Sequence, residues 1–131
     1  MEVGSWGTDI VFCVSDSRIF TFRDFKRSSG SEWAMHTRIG SRDQPEYIKP
    51  ALQKVSFTMD LDAQYGVRPR DTLDMLIRHT EEGTVNTLVV GGKKVGRYRW
   101  RITSLSEAWE IVYTRGELAR AKVDVTMEEY V

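Results

Sequence analysis

The sequence is poor in the residues that build metal and redox centres. Its one cysteine, Cys13, lies in the apolar run IVFCV, and its two histidines, His36 and His79, stand far apart. A single cysteine forms no internal disulfide and no multi-cysteine zinc site, so Cys13 reads as a small buried apolar residue. The histidines show neither HxxxH nor HxH spacing, and a metal site would need them gathered with carboxylates. No apolar run approaches the roughly 18 residues of a membrane span. No basic, apolar, then small-residue leader opens the chain, so it is expected to be intracellular when made, with no membrane partner. Excess charge is missing too. Nineteen basic and nineteen acidic residues cancel, which removes any global attraction to nucleic acid or anionic membrane. There is no repeat, low-complexity tract or composition break, and the length suits one domain over residues 1–131.

What is present centres on residues 55–83. The run VSFTMDL places Val55, Phe57, Met59 and Leu61 on one face of a strand, with Ser56, Thr58 and Asp60 on the other. A link over residues 62–68 bends at Gly66. The stretch PRDTLDMLIRHTEEG then predicts the chain's one helix. Pro69 suits its first turn, because the missing N–H would be unpaired there anyway. Leu73, Leu76, Ile77 and Thr80 form a narrow apolar stripe. Asp71 and Asp74 sit near the positive end, and Arg78 and His79 near the negative end, with His79 read as a surface residue. Asp74 and Arg78 make a favourable i,i+4 pair, and Gly83 supplies a left-handed close. So short a helix needs a sheet beneath its stripe.

Around this unit the pattern is mostly strands. Residues 1–7 read as a loop or exposed arm. Residues 10–14 and 18–22 read as a hairpin turning at Ser15, Asp16 and Ser17, with Phe25 covering its far end. Residues 32–38 form a third strand, with Trp33, Met35 and Thr37 on one face. Residues 39–49 make a polar connection, long enough to be an exposed loop or extended arm, where contacts often lie. Residues 86–90 lead into Gly91-Gly92, a strong two-residue hairpin signal. On the return strand a bulge is expected at Gly96. Beyond it Tyr98, Trp100 and Ile102 share one face, and Arg97, Arg99 and Arg101 the other. Residues 104–106 turn the chain. Residues 108–114 put Trp109, Ile111 and Tyr113 opposite Glu110 and Val112. After a turn at 115–117, residues 119–127 point Ala121, Val123, Val125 and Met127 inward. The count is about seven strands and one helix, a mainly antiparallel α+β domain of sandwich or barrel-like form.

Several patterns that would carry chemistry have simpler explanations. Asp60-Leu61-Asp62 is accounted for by a strand's polar phase and the start of a link, and no further acids complete a cation cage. Gly91-Gly92-Lys93-Lys94 lacks the spacer, the Ser or Thr and the following helix of a phosphate loop. No serine pairs with a histidine and an acid. The sharpest candidate is residues 93–101, whose basic residues interleave with Tyr98 and Trp100, as in a surface that tracks phosphates while stacking bases. The strand period opposes it, because it turns Tyr98 and Trp100 toward the core when the arginines face out.

The segments SWGTDIVFCVS, TFRDFKRSSGSEWAMHTRIG, VSFTMDLDAQYGVRPRDTLDMLI, LVVGGKKVGRYRWRITSLSEAW and TMEEYV, in that order, resemble the GpU tail-protein family of contractile-tailed bacteriophages, with relatives in phage-tail-like bacteriocins. The resemblance spans nearly the whole chain and carries no catalytic residues or cofactor. It implies a non-enzymatic virion component with a tail-tube-like sheet and a flanking helix. It further implies a six-fold ring at the baseplate end of the tube, with itself, tube and hub proteins as partners. A terminator at the head-proximal end is the other position. A ring of identical subunits needs two different complementary patches. On that reading Arg97, Arg99 and Arg101 meet carboxylates of a neighbour, with Glu107, Glu110, Glu128 and Glu129 as partners. Trp6, Tyr47 and the terminal EEYV are further interface candidates.

Overall fold

The computed structural model describes residues 2–7, 10–14, 19–20, 22–65, 67–112, 116 and 118–131. Its backbone is organised on β12 (Leu118–Tyr130). Along β12, Ala121, Val123, Val125 and Met127 are buried while Arg120, Asp124 and Tyr130 are exposed, the alternation of a sheet covered on one side. Two long antiparallel strands flank it, β7 (Lys54–Asp62) and β11 (Arg99–Val112). β4 (Phe22–Ser28) borders β7, and the short β8 (Val85–Asn86) borders β11, giving the order β4-β7-β12-β11-β8. A second five-stranded sheet runs β10-β9-β1-β2-β3. Its strands are β1 (Glu2–Trp6), β2 (Ile10–Val14), β3 (Ile19–Phe20), β9 (Leu88–Val90) and β10 (Lys93–Lys94). β5 (Ser31–His36) and β6 (Gln44–Pro50) pair only with each other. The class is therefore α+β, mainly antiparallel β with one helix.

One core lies between the two sheets and the helix. β1 and β2 bring Trp6, Ile10 and Phe12 to it, β7 brings Val55, Phe57, Met59 and Leu61, and β11 brings Trp100 and Ile102. Phe12 meets Phe22 and Phe57 edge-on, at ring separations of 4.8 and 5.8 Å. Phe25, expected to cover the far end of the first hairpin, stacks on Phe57 of β7 at 6.0 Å and lies 5.5 Å from Phe22.

The helix α1 (Pro69–Glu82) starts with Pro69 in its first turn and ends at Gly83, whose φ is 68°. Gly83 N–H and Thr84 N–H donate to the carbonyls of Thr80 and His79, at 3.4 and 3.0 Å. That arrangement satisfies carbonyls the last turn would leave open. α1 packs on β11 and β12, burying Leu73 and Leu76. Each such burial is worth about 1.5–3 kcal/mol relative to exposure. The stripe is rotated from the expected one. Pro69, Thr72 and His79 are buried with the leucines, and Ile77 is only partly covered. His79 is thus a core-edge residue, its ring 5.4 Å from Trp6 and its Nδ1 3.1 Å from Thr84 Oγ1. Asp74 pairs with Arg70 rather than Arg78.

Other expectations are corrected. Residues 2–6 are a strand, not an arm. Gly4 suits the close approach of β9, since a Cβ there would meet the Val89 carbonyl oxygen at 2.4 Å. Residues 104–106 do not turn. β11 runs through them, with a bulge between Ile102 and Ser104 that preserves pairing with β12. A second irregularity, between Trp109 and Ile111, sets Trp109 opposite buried Ala121 but Ile111 opposite exposed Arg120. These residues therefore lie on different faces, not one. The Gly91-Gly92 turn forms as expected, with φ of 63° and 80°, and joins β9 to β10. Residues 95–98 bend instead of starting a strand, so Tyr98 is 40% exposed where a core position was expected. The β2–β3 pairing supports the first hairpin over Ile19 and Phe20, whereas Phe22, expected on its second strand, belongs to β4 of the larger sheet. Its turn at 15–17, the side chain of Cys13, Gly66 and Tyr113 lie outside the described residues.

Candidate assembly surfaces

Beyond β4, Ser29 and Gly30 lead the chain into an antiparallel hairpin built from β5 and β6. Its register sets Trp33 opposite Tyr47, Ala34 opposite Glu46 and Met35 opposite Pro45. The Ala51 N–H donates to the Gly30 carbonyl at 3.0 Å and closes the base. Only Ala34 is even partly covered; every other residue of the two strands is exposed. Trp33 and Tyr47, 54% and 52% exposed, meet edge to face at 5.3 Å. Trp33 Nε1–H donates to Ser31 Oγ at 2.7 Å, which fixes the indole. Glu32 pairs with Lys49 at 3.7 Å, and His36 Nε2 meets Glu46 Oε2. Met35 and Ile48 add further exposed apolar surface. The region expected as a polar connection, 39–49, is thus the second half of an arm. Tyr47, the interface candidate there, lies at the arm's aromatic centre.

The second surface is the outer edge of β11. β8 pairs with Trp100 and Arg101 only, so residues 103–112 have no strand beyond them among the described residues. Trp109 is 44% exposed there; Arg70 of α1 lies over its ring at 5.0 Å, and its Nε1–H donates to Glu107 at 3.1 Å. Ile111 and Val112 are about half exposed.

The arginine row does not survive as a row. Arg97 sits on the bend before β11. Arg99 lies over Tyr130 at 5.7 Å. Arg101 is held by its own chain, 3.6 Å from Glu128 and donating to the Glu129 carbonyl at 3.3 Å. Glu129 is buried and accepts from the Gln53 N–H at 2.6 Å. Glu110 pairs with Arg120 at 3.2 Å. Trp6 has no exposed surface, and its Nε1–H donates to the Trp100 carbonyl at 3.1 Å. Trp6 and Glu129 are therefore interior to the subunit, and Arg101, only partly covered, is engaged by its own chain. Tyr47, Arg97 and Arg99 remain outward.

On the polar side of the larger sheet, Arg23 forms a fork on Asp60, with bonds of 2.6 and 3.3 Å. This contact holds the Asp60 carboxyl below the usual aspartate range, against a smaller opposing effect of partial burial. Asp62 accepts from the Gln64 N–H at 2.9 Å as the link begins. Among the described residues no three His, Cys, Asp or Glu gather as a metal group, and no helix is long and apolar enough to cross a membrane.

A solvent-facing arm and an open sheet edge are thus left uncovered among the described residues. Comparison with protein families matches residues 9–131 to the family described as Phage P2 GpU. The chain belongs to that family, and so is a phage tail-related structural protein and a virion component. Comparison with curated proteins finds no match.

The arm's second strand was hard to read because Pro45 and Pro50 interrupt it and its side chains lack a buried phase. A usable signal was Trp33 and Met35 alternating in a strand with no second apolar strand near it in sequence.

Proposed function

We propose that this protein forms a homo-oligomeric ring, a hexamer, at the baseplate end of the tail tube, between hub and tube. Its work there is assembly, giving tube subunits a template on which to polymerise. The observation that supports this most is the β5–β6 arm. An isolated two-stranded hairpin is marginal in water, and this one exposes tryptophan, tyrosine, methionine and isoleucine without a core of its own. Such a surface gains stability when a partner covers it.

Native mass measurement across a concentration series tests the reading. A hexamer is expected, and deletion of the gene should leave tails absent or aborted. Overlong tails after deletion would move the protein to the head-proximal end as a terminator.

A second reading rests on Tyr98. Its exposure, with Lys93, Lys94, Arg97 and Arg99 also exposed, removes part of the objection to base stacking at residues 93–101. Trp100 is fully buried, however, and Arg101 is already paired. One aromatic ring offers a single stacking platform, so the assembly reading stands first.

A further inference from the structure

The two surfaces lie at opposite margins of one sheet. The arm leaves β4 and returns into β7, at one end of the order β4-β7-β12-β11-β8. The open part of β11 is at the other end, beyond β12. Strands in a sheet stand about 4.8 Å apart, so roughly 14 Å of sheet separates β4 from β11. We infer that the β5–β6 arm of one copy adds its β5 edge to residues 103–112 of β11 in a second copy. This inference rests on the ring reading and names the contact that would close the ring.

The edges differ in ways that favour this pairing. An unpaired strand edge is a row of free N–H and C=O groups, which proteins usually blunt with charge, proline or a bulge. The β4 edge is blunted in that way. Arg23, Asp24, Lys26 and Arg27 line it, with an irregularity between Arg23 and Lys26. Residues 103–112 of β11 contain no proline, their only charges are Glu107 and Glu110, and the register shifts of this strand flank an unbroken stretch over Ser104–Trp109. On the arm, β6 contains Pro45 and Pro50, which have no N–H to give, whereas β5 has none. β5 is therefore the arm's intact edge. Charge agrees with this assignment. At the arm's tip Arg38 and Arg42 make no ion pair among the described residues, and Glu107 of the β11 edge, which makes none there either, is the carboxylate they would approach. Apolar side chains accompany the main-chain bonds on both partners, Trp33 and Met35 on one and Trp109, Ile111 and Val112 on the other. Alternate side chains of an added strand then decide specificity. Because donor and acceptor are different patches, the contact is head-to-tail, and it repeats into a closed ring where the rotation between copies closes.

Crosslinking of the full chain tests this directly. In a Cys13→Ala background, Met35→Cys and Ala108→Cys are made separately and treated with a short bis-maleimide, beside native mass of the same samples. The expected result is a covalent dimer in the equimolar mixture and in neither variant alone, and a multimer ladder when one chain carries both cysteines. Ile111→Lys, at an exposed position, should raise the concentration for half-assembly at least tenfold while the unfolding midpoint stays unchanged. Oligomers without mixed crosslinks would overturn the arm-to-edge contact and leave the ring reading standing. Monomers without crosslinks at every concentration would overturn both as properties of the chain alone.

Discussion

Trp6 and Trp100 form a joint between the two sheets. Trp6 Nε1–H bonds the Trp100 carbonyl, and Trp100 Nε1–H bonds the Val95 carbonyl at 2.7 Å, so neither indole is buried with an unpaired donor. Trp6→Ala would open a cavity and leave that carbonyl short of a partner. A loss of about 3–5 kcal/mol is expected in denaturant unfolding, whereas Trp6→Phe should cost less. A loss below 1 kcal/mol for Trp6→Ala would mean that the second sheet contributes little to stability. The Arg23–Asp60 fork gives a pH prediction. Its carboxyl titrates below the ordinary aspartate range in the folded protein, so the unfolded chain takes up the proton first. The stabilisation is therefore present above the ordinary aspartate pKa, about 4, and is lost as pH falls through the folded value. Both side chains are nearly half exposed, 47% and 45%, so solvent screening keeps the effect small. The stability gap between the native chain and Arg23→Gln should shrink as pH drops from 7 to 3; a constant gap would remove the ion pair from the account.

At the scale of elements, order is expected to follow covering. The centre of β12 is paired on both sides by β7 and β11, while the arm is paired only within itself. In amide hydrogen exchange, residues 121–127 should exchange only through near-global unfolding, and residues 31–50 far faster through local opening. Similar protection in both would show that the free chain already covers the arm. The same contrast explains what the sequence discloses. β7, α1 and β12 were legible because each has one buried face, so burial writes a period of two or 3.6 into the residue order. The Gly91-Gly92 turn was legible because both positions need positive φ. The long β11 was not, because three register irregularities, after Ile102, at Glu110 and between Ile111 and Val112, break the phase and make one strand look like two with a turn between. β1 was hidden by Gly4 and Gly7, which punctuate the text of a loop even though Gly4 serves a close strand approach. The candidate site suffered most. An arm with no buried face has no period to read, and an arginine row says nothing about which of its members the chain's own carboxylates will claim.

At the scale of the whole molecule the balance of charge decides which forces drive association. The net charge is zero, and several ion pairs near the proposed contact, Glu32–Lys49, Glu110–Arg120 and Arg101–Glu128, are satisfied within one chain. Assembly through the proposed contact would then draw mainly on main-chain pairing and apolar cover from the arm and the β11 edge, which salt screens little, with Arg38 and Arg42 adding a smaller, screened part. Raising salt from about 50 to 200 mM should therefore change the self-association constant by less than about tenfold. A surface that tracked phosphates through Lys93, Lys94, Arg97 and Arg99 would behave differently. Each neutralised phosphate of a single strand contributes a slope of about −0.7 in log affinity against log salt, so four contacts would cost nearly fifty-fold over the same range. Measuring both, self-association by native mass and single-stranded DNA binding by fluorescence anisotropy, separates the two uses of the molecule. Salt-tolerant assembly with no single-strand affinity is the expected pair of results. Steeply salt-dependent binding to single strands, lost on Tyr98→Ala, would transfer the function from the arm to the bend before β11.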